Sequence, residues 1–158
     1  MIKDGRYVFV EQLGKGSQGT VWKTVDKLTR ENRAIKKIRK RFMKYEDCLN
    51  IGEVKCLVKL GSHPNILCLH DVILEGTMLY LVFELIDCKL FKLKLSGRGR
   101  RFSEDQACKF CFQILKGLEH MHNQGYCHHD LKPENLLVRR GDVVKIVDFG
   151  SATNCWKY

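Results

Sequence analysis

The run Gly14-Lys15-Gly16-Ser17-Gln18-Gly19 restricts this chain more than any other stretch, because of what flanks it. It fits the spacing GxGxxG, which alone is a weak signal. In a dinucleotide-binding fold such glycines lead straight into a helix, whose N-terminus meets the pyrophosphate. Here the next residues are Thr20-Val21-Trp22-Lys23-Thr24-Val25, β-branched and aromatic, and the preceding YVFVEQL has the same character. The Rossmann reading therefore fails on context. A glycine loop between two strands is either a plain hairpin or a flap whose backbone can lie close over phosphates.

The segments downstream of the loop favour the flap. Residues 33–38 read as a third strand, completing an antiparallel meander, and Lys36 within it can reach the α- and β-phosphates of a nucleotide. From Tyr45 to Leu60 the period becomes helical, with Leu49, Cys56, Leu57 and Leu60 on one face and Glu53 among them. A carboxylate on an apolar face is expensive without a cation, and Lys36 would supply one.

Two further apolar runs, 65–73 and 79–85, are separated by Glu75-Gly76-Thr77, a hairpin signal. Ser103 and Gln106 then form a capping box ahead of a stripe of Ala107, Phe110, Cys111, Ile114, Leu115, Leu118 and Met121. Gly125 is a natural helix stop, and residues 143–147 read as a short strand. The order, strands with one helix and then a mainly helical part, predicts two lobes joined near Glu84 to Asp87: residues 1–86 and 87–158.

Composition narrows the setting. With 44% hydrophobic and 29% charged residues the 158-residue chain is globular, and no apolar run approaches the ~20 residues that span a bilayer. The start, MIKDGRYVFV, lacks the apolar core of a signal peptide, so the eight cysteines are expected as reduced thiols in the cytoplasm or nucleus. Cys108 and Cys111 form a CxxC, with Cys127-His128-His129 as the other candidate zinc ligands. Helical i, i+3 spacing makes the pair core residues instead. The net charge of +10 is concentrated in Lys36–Arg41 and Arg98–Arg101, and reads as a solvated basic surface. No aromatic stacking pattern accompanies it, so an RNA-binding module is not supported, and a nucleic-acid-binding reading rests on charge alone.

The densest chemistry lies in Cys127-His128-His129-Asp130-Leu131-Lys132-Pro133-Glu134-Asn135 and in Asp148-Phe149-Gly150. A substrate hydroxyl needs a carboxylate to orient it and take its proton, a role for Asp130. Metal ions bridging phosphates need hard oxygen ligands, which Asn135 and Asp148 provide, while Lys132 can steady the transferring phosphate.

With these elements in this order, the chain resembles a eukaryotic serine/threonine protein kinase from about Tyr7 to about Ala152. AIKKIRKRFMKYEDCLNIGEVKCLVKL, HPNILCLHDVI, LYLVFELIDCKLFKL and DLKPENLL resemble the male germ cell-associated kinase-like branch, related to the cyclin-dependent and MAP kinases. The resemblance implies an α+β fold, with a complete antiparallel β-rich N-lobe carrying the αC helix and a truncated, mainly helical C-lobe. It implies Mg2+ and ATP, with γ-phosphoryl transfer to a protein serine or threonine. Leu13, Val21, Ala34 and Leu137 would sandwich the adenine under the flap of Gly14, Gly16 and Gly19. Phe83 would be the gatekeeper, with Glu84 and Ile86 as hinge contacts. Asp130 and Lys132 would act on the transferred group, Lys36 with Glu53 would place the phosphates, and Asn135 and Asp148 would hold metal.

Two departures stand out. The family's pattern continues past Asp148-Phe149-Gly150 into an activation loop and several large helices, whereas this chain stops at Trp156-Lys157-Tyr158. The back of the 103–123 helix is therefore expected to expose apolar surface, to be covered by a protein partner if at all. Three arginines that in related kinases converge on a phosphorylated activation loop are replaced by Gly52, His129 and Thr153. Histidine lacks the bidentate fork of arginine. Neutral drift, or loss of phosphate-dependent switching with the nucleotide residues kept, both fit. The rival class is a catalytically weak nucleotide- or partner-binding fragment.

Overall fold

The computed structural model describes residues 2–86, 88–89, 102–139 and 142–157. The chain forms two compact units, Met1–Lys55 with Cys68–Leu85 and Cys56–Leu67 with Ile86–Tyr158.

The first unit is built on a five-stranded antiparallel sheet of β1 (Tyr7–Lys15), β2 (Gly19–Asp26), β3 (Asn32–Arg41), β4 (Leu69–Glu75) and β5 (Met78–Glu84), in the order β1-β2-β3-β5-β4. The β-branched and aromatic runs give the strands their pleated packing surface. Ile2, Tyr7, Ile35, Ile73, Tyr80 and Val82 form its core cluster. The hairpin turn is Gly76-Thr77, with Gly76 at φ +59°. Residues 65–68, expected as strand, precede β4: Asn65 is instead buried, its side chain spent on hydrogen bonds in the second unit.

The expected single helix over 45–60 is two: α1 (Tyr45–Leu49) and α2 (Gly52–Leu60). Asn50 ends α1, its N–H donating to Asp47 O and its Nδ2 to Glu46 O at 3.0 Å. Helical bonding resumes with Lys55 N to Ile51 O at 2.9 Å. Leu49 consequently leaves the apolar face and is exposed, while Cys56, Leu57 and Leu60 are buried. Gly52 opens α2 instead of interrupting a longer helix, so the mid-helix glycine penalty does not apply.

The second unit contains β6 (Cys88–Lys89), α3 (Glu104–Asn123), β7 (Tyr126–Cys127), β8 (Leu136–Arg139), β9 (Val143–Ile146) and β10 (Thr153–Asn154). Sheets run β6-β8-β9 and β10-β7. The capping box at α3 is present in both halves, Ser103 with Gln106, and Gly125 follows the helix at φ +79°. Gly117 is the close-approach point of α3: a Cβ there would lie 2.8 Å from Ile146 Cδ1. Asn65 Nδ2 ties this region together, donating to Gln113 Oε1 at 3.0 Å and to Val144 O at 2.9 Å.

Only part of the predicted α3 stripe is buried. Phe110 and Met121 are, but Leu115 is 64% exposed and Phe112, on the same turns, 61%. Cys108 and Cys111, expected in the core, are both exposed. Among the described residues no cluster of three His, Cys, Asp or Glu side chains suits a metal. The expectation that every cysteine is a free thiol fails at one pair. Cys127 and Cys155 form a disulfide across the β7–β10 ribbon, their Cα atoms 6.2 Å apart, a normal separation. The basic run Arg98–Arg101 lies outside the described residues. In the other run Lys36 is buried, while Arg39, Lys40 and Arg41 are exposed as expected.

Candidate active site

In the first unit the sheet register assembles one set of predicted residues. Val21 is the cross-strand partner of Lys36, and Ala34 that of Phe83. Ala34 and Lys36 are two apart on β3, so all four share one face. Phe83 is 4% exposed, whereas Leu13, beside a β1 irregularity, is 45% exposed. Glu84 ends β5, its Oε1 accepting from Cys68 N at 3.0 Å.

Lys36 Nζ lies 2.8 Å from both oxygens of Glu53, and both residues are buried. The carboxylate on the apolar face of α2 thus has its cation. Satisfying both oxygens is what makes such a buried pair tolerable. At the tip of the glycine loop Gly16 N donates to Gly19 O at 2.9 Å. Gly19 packs so tightly on β3 that any Cβ would collide with Lys37 O. Gly14 and Gly16 meet no such obstacle, and Gly14 pairs with Val21.

In the second unit the loop from 128 to 135 is organised by a buried histidine absent from the predicted site set. His128 Nε2 lies 3.0 Å from Val147 O and Nδ1 accepts from Asp130 N at 3.2 Å. A carbonyl only accepts, so the proton sits on Nε2. The ring also packs edge-on against buried Phe149, with centroids 5.3 Å apart. One side chain therefore links the Asp130 loop to the Asp148-Phe149-Gly150 segment.

The structure brings Asp130, Lys132 and Asn135 together. Asp130 Oδ2 accepts from Lys132 Nζ at 2.7 Å and from Asn135 Nδ2 at 3.0 Å, and the same Nδ2 donates to Asp130 O at 2.8 Å. The Lys132 hydrogen bond, helped by Asn135, holds the Asp130 carboxyl below the usual carboxylate range, against a smaller opposing effect of desolvation. The same bond raises Lys132. His129 and Asp148 both adopt left-handed backbone, at φ +60° and +64°. Residues other than glycine seldom do so outside constrained sites. Leu137 on β8 and Ile86 are half-buried.

The donor set suits magnesium bound to a polyphosphate. Asn135 directs Nδ2 to Asp130, so its Oδ1 is the end that would meet a cation, and Asp148 adds an exposed carboxylate. Magnesium takes one or two such protein oxygens and completes its shell with phosphate and water. His128 was missed because its role depends on backbone atoms distant in sequence.

A glycine flap beside a lysine–glutamate pair, together with an aspartate loop seated on a histidine, characterises phosphoryl-transfer enzymes of the protein kinase class. Residues 7–157 match the protein kinase domain family, and the chain belongs to that family. It is 42% identical to Cyclin-dependent kinase F-4 of Oryza sativa subsp. japonica over 147 residues, 93% of this chain and 31% of that protein. Serine/threonine-protein kinase ICK of Rattus norvegicus is 42% identical over 147 residues, and Serine/threonine-protein kinase MAK of Homo sapiens 40%, each covering 93% of this chain. These similarities agree with the male germ cell-associated kinase-like branch. The chain spans 31% of the rice protein and 23% of the rat and human ones.

Proposed function

We propose that this chain binds Mg-ATP and transfers the γ-phosphoryl group to a serine or threonine hydroxyl of a protein. The observation that carries the reading is the Asp130–Lys132–Asn135 group, already hydrogen-bonded around one carboxylate oxygen. Asp130 is ionised throughout the physiological range, so its carboxylate accepts a hydrogen bond from the substrate hydroxyl. Held by Lys132 and Asn135, the carboxylate is placed to orient that hydroxyl, which suits a loose phosphoryl-transfer transition state. Lys132 is placed to offset charge developing on the transferred group. Lys36, fixed by Glu53, would hold the α- and β-phosphates, with Val21, Ala34, Phe83, Leu13 and Leu137 as adenine contacts. Asn135 and Asp148 would hold magnesium, which neutralises phosphate charge when bound.

The test is transfer of labelled phosphate from Mg-ATP to a basic test protein, with Asp130→Asn as control. The reading requires activity that falls at least about 100-fold in the variant. Equal signals from the two proteins reject catalysis by this loop. The second reading, a nucleotide- or partner-binding protein with weak activity, is favoured by the exposed Phe112 and Leu115 of α3. It predicts ATP binding without transfer.

A further inference from the structure

Lys36 also meets a side chain that the phosphate-placing role does not require. Gln18, from the glycine loop, brings Oε1 to 3.0 Å from Lys36 Nζ. Gln18 Oε1 thus joins the two Glu53 oxygens, at 2.8 Å, as an acceptor for the Lys36 ammonium. Because a lysine only donates, the carboxamide must face it through oxygen, with its NH2 turned away.

The loop is held in that position by Arg39, at the far end of β3. Its backbone N–H donates to Gln18 O at 3.0 Å, and its guanidinium donates to Gly16 O at 3.2 Å. One residue thus grips the loop on both sides of Ser17. Gly19 lies so close to Lys37 O that no side chain fits there, so the loop rejoins the sheet directly against β3. The loop thus carries an oxygen of its own to the Lys36 ammonium.

We propose that Gln18 is a displaceable guard on the phosphate position of this site, latched by Arg39, so that ATP must exchange a phosphate oxygen for the glutamine oxygen at Lys36. This rests on the nucleotide reading above. The exchange costs one charge-assisted hydrogen bond and the loop contacts that hold it, while Glu53 keeps Lys36 in place throughout. Gln18 is accordingly a positioning residue that tunes nucleotide affinity, and its side chain is exposed, so its replacement leaves the core untouched.

The experiment measures Mg-ATP affinity of the whole chain by calorimetry for the wild type, Gln18→Met, Gln18→Ala, Gln18→Glu and Arg39→Ala. Labelling of Lys36 by an amine-reactive ester, without nucleotide, is followed in parallel by peptide mass spectrometry. Gln18→Met keeps bulk without the acceptor, and it and Gln18→Ala should each bind about 5–10-fold more tightly. Arg39→Ala should shift in the same direction, Gln18→Glu should bind more weakly, and Lys36 labelling should quicken in Gln18→Met. ATP binding by the wild type that is unchanged or weakened in both Gln18→Met and Gln18→Ala overturns the guard and leaves the nucleotide reading standing. No ATP binding by any of these proteins, with labelling quickened in Gln18→Met, overturns the nucleotide reading and the guard with it.

Discussion

His129 Nε2 lies 2.7 Å from Thr153 Oγ1, so two of the positions where the kinase resemblance implies arginines are joined by a hydrogen bond. The pair is exposed, and it sits at the register point where Thr153 faces Cys127 in the β7–β10 ribbon. A hydroxyl can donate or accept, so either histidine tautomer satisfies it. Neither group offers the planar, permanently charged fork that grips a phosphate.

A phosphothreonine peptide at millimolar concentration should therefore leave the thermal midpoint unchanged. The double variant His129→Arg/Thr153→Arg should gain a stabilising response to it that disappears at high salt. A clear shift in the wild type would show that imidazole and hydroxyl suffice for phosphate capture.

Removing one partner of the Lys36–Glu53 pair takes from the buried group that remains its closest opposite charge. Glu53→Ala should cost about 3 kcal/mol in denaturant unfolding, and Lys36→Met a comparable amount. The double change Lys36→Met/Glu53→Leu should recover most of the loss, since a well-packed apolar pair needs no desolvation. Additive losses in the double variant would contradict that account.

Asp26 accepts from Arg6 through Nε at 3.0 Å and Nη2 at 2.7 Å, and from Leu28 N at 2.9 Å. The Arg6 hydrogen bond brings its carboxyl down to about 2, from an ordinary 3.8. A depressed folded value means that its stabilisation is complete above 3.8 and is lost as pH falls towards 2. Asp26→Asn should flatten acid unfolding in that window and cost about 2 kcal/mol at neutral pH. An unchanged acid profile would remove Asp26 from the explanation.

His63 Nδ1 accepts from Asn65 N at 3.1 Å, and its ring stacks on His120 with centroids 4.6 Å apart. His120 Nε2 in turn donates to Leu60 O at 2.7 Å. Burial first, then the neighbouring His120 and Lys145, hold His63 below 6.5. The unfolded chain therefore binds the proton more readily, and stability should decline as pH falls below 6.5 until the folded group also titrates. His63→Gln, which keeps an acceptor, should weaken that slope. A slope unaltered by the change would point elsewhere.

The disulfide is checked by non-reducing peptide mapping, which should recover Cys127 linked to Cys155. Constraining a loop of this length contributes about 3.5 kcal/mol on chain-entropy grounds. Reductant should lower the unfolding midpoint of the wild type and leave Cys127→Ser/Cys155→Ser unchanged. Two free thiols in the map would refute the bond.

The strands of the five-stranded sheet, β9 and α3 were legible because their signals are local: β-branched runs, a capping box and a terminal glycine act within a few residues, whereas the short β6, β7, β8 and β10 carry no such signal. The split between α1 and α2 was not. Leu49 keeps helical phase with Glu53 across the break, so periodicity alone reads through it, while the stop is made by Asn50 binding Glu46 and Asp47. In the site, residue types and spacing announced Asp130, Lys132 and Asn135, and the structure shows them in mutual contact. The roles of His128 and Gln18 were hidden, since each is defined by a partner across the fold, Val147 for one and Lys36 for the other. Cysteine pairing was hidden for the same reason, because 28 positions of separation say nothing about an approach of 6.2 Å.

The Cys127–Cys155 bond has a topological consequence. It closes residues 127–155 into a covalent ring, and Asp130, Lys132, Asn135 and Asp148 all lie on its circumference. A single protease cut anywhere inside that ring leaves one connected molecule, with every member of the set still tethered to the rest. Only a cut followed by reduction would set the pieces apart.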